Sequence, residues 1–430
     1  MIKFEKREDK FIDEVLYHGV HESGVNVYVM PKKGYDKCHA MFATRYGSIE
    51  SKFEKDGEII NIPDGTAHFL EHKLFEEEDG NVFDKFAVLG ASANAFTNFT
   101  STAYHFSATS NFYESLGVLI NFVQNPYFTK QSVDKEQGII GQEIKMYDDD
   151  PNWQVYFNVL GCLYNECYVK YDIAGTVESI ATIDKDILYD IYSVFYHPSN
   201  MVLFIAGDVD INDVSECIEK HLKKIQPQTS PVKRIYPIEK EEIACDYVHR
   251  TLDVAVPLFT LGFKDTQTDL SGKALLKKEI EMDILLEMLF SKSSDIYKTL
   301  YEQSLINDSF DADYECHEEY AFTCITGESK NPSKVRDIII DKLSKVELST
   351  EDYERARKVV WGNYIRTYNS TESIGYVFVL HLLTKINYFD FKEVYETISF
   401  DDIKARKERN LDIKKSALSV VDNIKGGLDA

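Results

Sequence analysis

The order of elements along the chain occurs twice, and this repetition narrows the possible folds more than any other feature. In the first half, residues 25–30 alternate in hydropathy and end at Pro31, and 37–47 form a second strand carrying Met41, Phe42 and Tyr46. A helix over 62–75 follows, then a shorter one over 82–89 closed by Gly90, then strands over 92–97 and 102–109 joined by a polar turn. Helices over 111–125, 134–146, 153–164 and 185–196 and a buried strand over 201–206 complete the set. Beyond the polar stretch from Gln226 to Pro231 the succession returns. It runs through an extended segment over 252–262, helices over 274–290 and 295–301, and strands over 309–315 and 320–326. Helices over 332–343 and 350–366 and a late strand over 417–421 close it. The reading is two α+β domains of like organisation, residues 1–225 and 241–430, with a linker at 226–240.

The two copies differ at one place. The first helix of the first copy carries His68-Phe69-Leu70-Glu71-His72, opened by Pro63-Asp64-Gly65 with Asp64 as the expected N-cap. Residues four apart share a helix face, so His68 and His72 can share one ion, and Glu71 stands on the shoulder of that face. Two imidazoles and a flanking carboxylate base are the parts of a hydrolytic zinc centre, in the inverted H-x-x-E-H order. The plainer alternative is a pair of histidines satisfied by hydrogen bonds along one helix face. In the second copy, residues 285–290 fall where 69–75 fall in the first, and no histidine pair accompanies them. One half carries the metal motif.

A third ligand decides between these readings. The helix after the first hairpin contains Glu136 and Glu143, seven residues and nearly two turns apart, hence on one face. One could complete a three-ligand set that leaves a position open for water, and the other could hold a ligand imidazole by its distal N–H. An exposed acidic face is the competing explanation.

Charge and cysteines bound the partners and the compartment. Lys and Arg number 48 against 72 Asp and Glu, a net charge of −24, which excludes the basic footprint needed for nucleic acid or an anionic membrane. The seven cysteines are scattered without a C-x-x-C pair, which suits free thiols in a reducing compartment. The first ten residues are charged and no apolar run reaches membrane-spanning length, so a cytoplasmic protein is expected.

The H-F-L-E-H motif, followed at long range by E-x6-E, resembles the pitrilysin/insulinase metallopeptidases, which include the mitochondrial processing peptidases. Gly65-Thr66-Ala67, Lys73-Leu74-Phe75, Gly90 through Thr97, Ala174-Gly175-Thr176 and Tyr196 through Asn200 match as well. The likeness is nearest to half-length bacterial members of the YmfH-like type. It implies a processing-peptidase-like fold of two homologous domains, each an antiparallel-rich sheet with helices packed on one face. It implies one zinc ion per chain on His68, His72 and Glu143, with Glu136 orienting a ligand and Glu71 as the catalytic base. It also implies an exposed edge strand, where a peptide substrate adds against Asn94, Ala95 and Phe96. His105 on the next strand is then an ordinary strand residue. Family members also carry an arginine and a tyrosine in the second half that grip the substrate backbone. The corresponding stretch, residues 320–328, has no arginine, and the next one is Arg336. The resemblance therefore implies the zinc-bearing subunit of a heterodimer with a zinc-less paralogue, or else a self-dimer. The alternative is a non-hydrolytic zinc-binding scaffold, as in relatives named for assisting modification of a translation elongation factor.

Overall fold

The computed structural model describes residues 2–55, 57–78, 80–226 and 232–423, so part of the expected linker, 227–231, lies outside the described residues. A first compact unit takes in Met1–Ile144, Asp172–Tyr236 and Ile365–Phe389. Its main sheet contains β1 (Glu5–Asp9), β2 (Glu14–Val20), β3 (Asn26–Pro31), β4 (Cys38–Thr44), β5 (Ser92–Thr97), β6 (Thr102–Ala108) and β7 (Met201–Gly207). The strand order is β1-β2-β3-β7-β4-β6-β5, and only the β3–β7 pair is parallel. β4 and β7 are buried along their whole length, which is why they read as continuous apolar runs and sit at the centre. β1 forms one edge with the exposed sequence Glu-Lys-Arg-Glu-Asp, charges that discourage pairing with other chains. β5 is the opposite edge and carries far fewer charges.

Helices α1 (Thr66–Leu74), α2 (Val82–Leu89) and α3 (Phe112–Val123) pack on one face of this sheet. The interface is aromatic. Phe75 stacks on Phe122 at 5.2 Å, Tyr104 meets Phe122 edge-on at 5.6 Å, and Phe86 lies 5.5 Å from Phe106. Contacts of this geometry add to the area they bury. The other face is covered by the helix Thr371–Leu383, where Phe378 stacks on Phe204 and Gly375 admits the His39 ring. A Cβ at Gly375 would lie 2.6 Å from that ring. No sequence expectation covered this helix, because its apolar residues recur on every side and give no amphipathic stripe.

The second compact unit takes in Lys145–Tyr171, Pro237–Tyr364 and Asp390–Ala430. Its sheet holds β8 (Tyr247–Thr251), β9 (Leu258–Asp265), β10 (Asp311–Cys316), β11 (Ala321–Glu328) and β12 (Ser416–Asp422), in the order β8-β12-β9-β11-β10. This is the order β3-β7-β4-β6-β5 over again, with the first pair parallel in both. The repeat seen in the sequence is thus a repeat of connectivity. Here the covering helix is α5 (Pro151–Leu163), drawn from the first half of the chain. Gly262 on β9 lets it approach, since a Cβ there would meet Val159 and Leu163 at 2.8 and 2.9 Å. The units therefore interleave along the sequence.

One expectation is corrected. Cys162 on α5 and Cys245 form a disulfide with their Cα atoms 4.6 Å apart, whereas the scattered cysteines were read as pointing to a reducing compartment without a disulfide framework. A separation of 83 residues leaves no local spacing signal for such a pair. The other five are free.

Phe106 is fully buried between α2 and α3, so Phe106→Ala should cost about 3–5 kcal/mol of stability. Urea unfolding followed by near-ultraviolet circular dichroism would measure it.

Candidate metal centre

α1 begins differently from the sequence expectation. Its N-cap is Gly65 in the left-handed conformation at φ 87°, not Asp64, and no side chain caps it. The reason lies in a close backbone approach: a Cβ on Gly65 would stand 2.4 Å from the Ala174 carbonyl oxygen, and one on Gly175 would stand 2.6 Å from that of Asp64. Ser179 then donates its hydroxyl to the Asp64 carbonyl at 2.8 Å. Two glycines and one serine so place the start of the motif helix against residues 174–179.

Along α1, His68 and His72 project together, with ring centroids 4.5 Å apart. Glu143 comes from α4 (Lys130–Asp148). Its Oε1 lies 3.7 Å from His68 Nε2 and its Oε2 3.5 Å from His72 Nε2. Two donors on a tetrahedral zinc, each about 2.0–2.1 Å from the ion, stand roughly 3.4 Å apart, so the three side chains fit that ion. His68, His72 and Glu143 are the one group among the described residues whose ligand atoms converge in this way. Glu136, two turns earlier on α4, accepts at Oε1 from His72 Nδ1 at 3.1 Å, which directs Nε2 toward Glu143.

Glu71 stays outside this set. Its Oε2 accepts a 2.5 Å hydrogen bond from the Thr97 hydroxyl on β5. Burial raises the Glu71 carboxyl above the ordinary range; Thr97 and His72 pull it part of the way back, and Glu143 raises it further. Burial, with His72 beside it, takes His68 down to about 3 and keeps it neutral, the form that ligates metal. Burial alone lowers His72 as well, but the Glu136 hydrogen bond and the charges of Glu143 and Glu71 outweigh it and hold His72 above its usual value. Glu136 moves the opposite way, its desolvation overcome by His72 and Lys73.

A cavity of about 780 Å³ opens beside Glu71 and His72, lined by the stacked rings of Phe75 and Phe83 and by Glu76, Glu77 and Glu78, and reaching Asn94 and Ala95 on β5. Phe96 does not line it; its ring lies 5.1 Å from Tyr376. Among the described residues β5 pairs only with β6. The Ala95 amide takes no part in that ladder and donates to Asn94 Oδ1 at 2.9 Å. His105, opposite Asn94, stays in the strand layer with His39, 5.3 Å between rings. Thr97 went unrecognised in the sequence because its tie to Glu71 crosses from strand to helix.

Two family models match this chain: "Insulinase (Peptidase family M16)" over residues 61–176 and "Peptidase M16 inactive domain" over 182–360. The zinc protease YmfH of Bacillus subtilis (strain 168) is 45% identical over 398 residues, 91% of this chain and 93% of that one. The chain belongs to peptidase family M16. An M16-like peptidase from Alicyclobacillus acidocaldarius superposes with a TM-score of 0.90 at 34% identity, covering 98% of this chain and 99% of that one. A protease from Helicobacter pylori shares the fold with a TM-score of 0.80 at 17% identity, covering 98% and 100%. Homologous N- and C-terminal M16 domains thus account for the doubled strand order.

The second unit carries no histidine pair on the helix that follows β9. Glu287 lies on that helix, α6 (Gly272–Phe290). Its Oε1 accepts from Arg355 Nη1 at 2.6 Å, on α8 (Thr350–Thr367), which follows α7 (Pro332–Lys345) as α4 follows α3. A carboxylate–guanidinium pair thus links these two helices.

Gly65→Ala tests the entry to α1. A non-glycine residue held in the left-handed region costs about 1–3 kcal/mol, and the Ala174 clash adds to it. The variant should melt earlier in a calorimetric scan, and it should bind zinc more weakly.

Proposed function

We propose that this chain is a zinc metalloendopeptidase, the catalytic subunit of a heterodimer with a zinc-less paralogue, acting on peptides or unfolded segments. The observation that carries the reading is the convergence of His68, His72 and Glu143 with Glu71 alongside but outside the set. A purely structural zinc site has no use for such a base and closes all four positions.

His68, His72 and Glu143 would hold one zinc ion. Bound there, zinc supplies Lewis-acid polarisation of the scissile carbonyl and acidifies water. The Thr97 hydroxyl fixes one oxygen of Glu71 and leaves the other to receive the proton of the attacking water. Glu71 then returns that proton to the departing amine nitrogen. Its burial makes it a stronger base than a solvated carboxylate. Glu136 holds His72 in the tautomer whose Nε2 ligates.

The substrate lies along β5 as an added strand. The Ala95 amide offers a main-chain donor once Asn94 releases it, and the rings of Phe75 and Phe83 receive a side chain next to the scissile bond. The heterodimer rests on residues 320–328, which contain no arginine to grip the substrate backbone; the partner supplies it. A cytoplasmic location is part of the reading, supported by five free thiols and weighed against one disulfide. No described helix is long and apolar enough to cross a membrane.

Glu71→Gln should retain zinc and lose roughly 10²–10⁴ in turnover of a quenched-peptide library, assayed with and without the paralogue. Turnover equal to the parent's removes Glu71 from the chemistry. Zinc uptake without cleavage by the parent in either format favours the scaffold instead. Ala95→Pro removes one outward amide while leaving the β5–β6 ladder intact, since proline is tolerated on an edge strand. It should raise KM with kcat little changed; an unaltered KM places the substrate elsewhere.

A further inference from the structure

Lys73 directly follows His72, and its side chain is completely buried. A buried ammonium is tolerated only when its donors are matched. Lys73 has two acceptors within hydrogen-bond reach and one carboxylate oxygen further off. It pairs with Glu76 Oε2, reaches the Ser132 carbonyl oxygen at 3.5 Å, and stands 3.9 Å from Glu136 Oε2. Glu136 is thereby divided: Oε1 accepts from His72, and Oε2 faces the ammonium. Ser132 and Glu136 are successive turns of α4, whereas Lys73 belongs to α1. This one side chain joins the helix that carries both histidines to the helix that carries Glu143.

We propose that Lys73 is a positioning residue of the metal centre. It acts through Glu136: the ammonium fixes the rotation of that carboxylate, so the oxygen presented to His72 Nδ1 stays in the plane of the imidazole. Its reach to Ser132 sets the register of α4 against α1, which determines where Glu143 meets the two Nε2 atoms. An unbranched apolar residue of similar length would fill the same space without desolvating a charge. The charge is met by Glu76 and extends to Glu136, the carboxylate that touches the His72 imidazole. The inference rests on the reading that His68, His72 and Glu143 hold zinc.

The test is a double-mutant cycle read as zinc affinity by chelator competition, on the full chain. Removing a group that orients a metal ligand typically weakens binding about 10- to 100-fold, and both Lys73→Met and Glu136→Gln are expected in that range. Because Lys73 works through Glu136, the double variant should bind no more weakly than the weaker single variant. The cobalt-substituted visible spectrum should change in the same direction in all three. Should Lys73→Met fail to fold, the cycle is run with Lys73→Gln, which keeps donors for Glu76 and Ser132 but offers Glu136 no charge. Losses that multiply in the double variant overturn the proposal, as does a Lys73 variant that binds zinc within twofold of the parent. A parent chain that takes up no zinc brings down the metal reading and this inference together, whereas a zinc-binding parent matched by its Lys73 variant removes only the latter.

Discussion

Two imidazoles on one helix need a third ligand to make a three-ligand metal site, and in this chain the side chain placed to serve is a carboxylate from a different helix. That requirement organises the first unit. α1 contributes His68 and His72, and α4 contributes Glu143. Each helix is pinned close to its functional residues: α1 at its start by the mutual approach of Gly65 and Gly175, and α4 by the contacts of Glu136 and Ser132 with α1. Helix and sheet meet through rings, Phe75 against Phe122 of α3 and Tyr104 of β6, so a displacement of one helix would have to break several ring contacts.

The same arrangement separates the roles of three acidic side chains on two helices. Glu143 faces both Nε2 atoms, Glu136 faces the far side of one ring, and Glu71 is drawn toward the edge strand by a threonine hydroxyl. The difference is set by neighbours rather than by residue type. In the second unit Glu287 and Arg355 join α6 and α8 by a salt bridge.

What the sequence made legible was local or periodic. The four-residue spacing of the histidines, the seven-residue spacing of Glu136 and Glu143, the hairpin that ends in β6 and the glycine closing α2 all follow from helix and strand periods. The repeat of strand order was legible for the same reason. Features that depend on chain segments meeting from far apart were not. Gly65 displaces Asp64 as the cap because residue 174 lies against it; Thr97 reaches Glu71 across a layer; Cys162 finds Cys245 over 83 residues. Lys73 was visible only as part of a family-like run, with nothing to say that it was buried. The helix over 371–383 was missed because uniform apolarity carries no period.

Each sheet buries a helix that the other half of the sequence encodes: α5 lies on β9 and β12, and Thr371–Leu383 on β4 and β7. Scission of the chain between the halves would leave two fragments, each missing part of its own interior and exposing the apolar surface meant for the absent helix. Such fragments are expected to be insoluble singly and to recover a native interior only when produced together. The boundary that duplication left in the sequence therefore does not coincide with the edges of the two compact units.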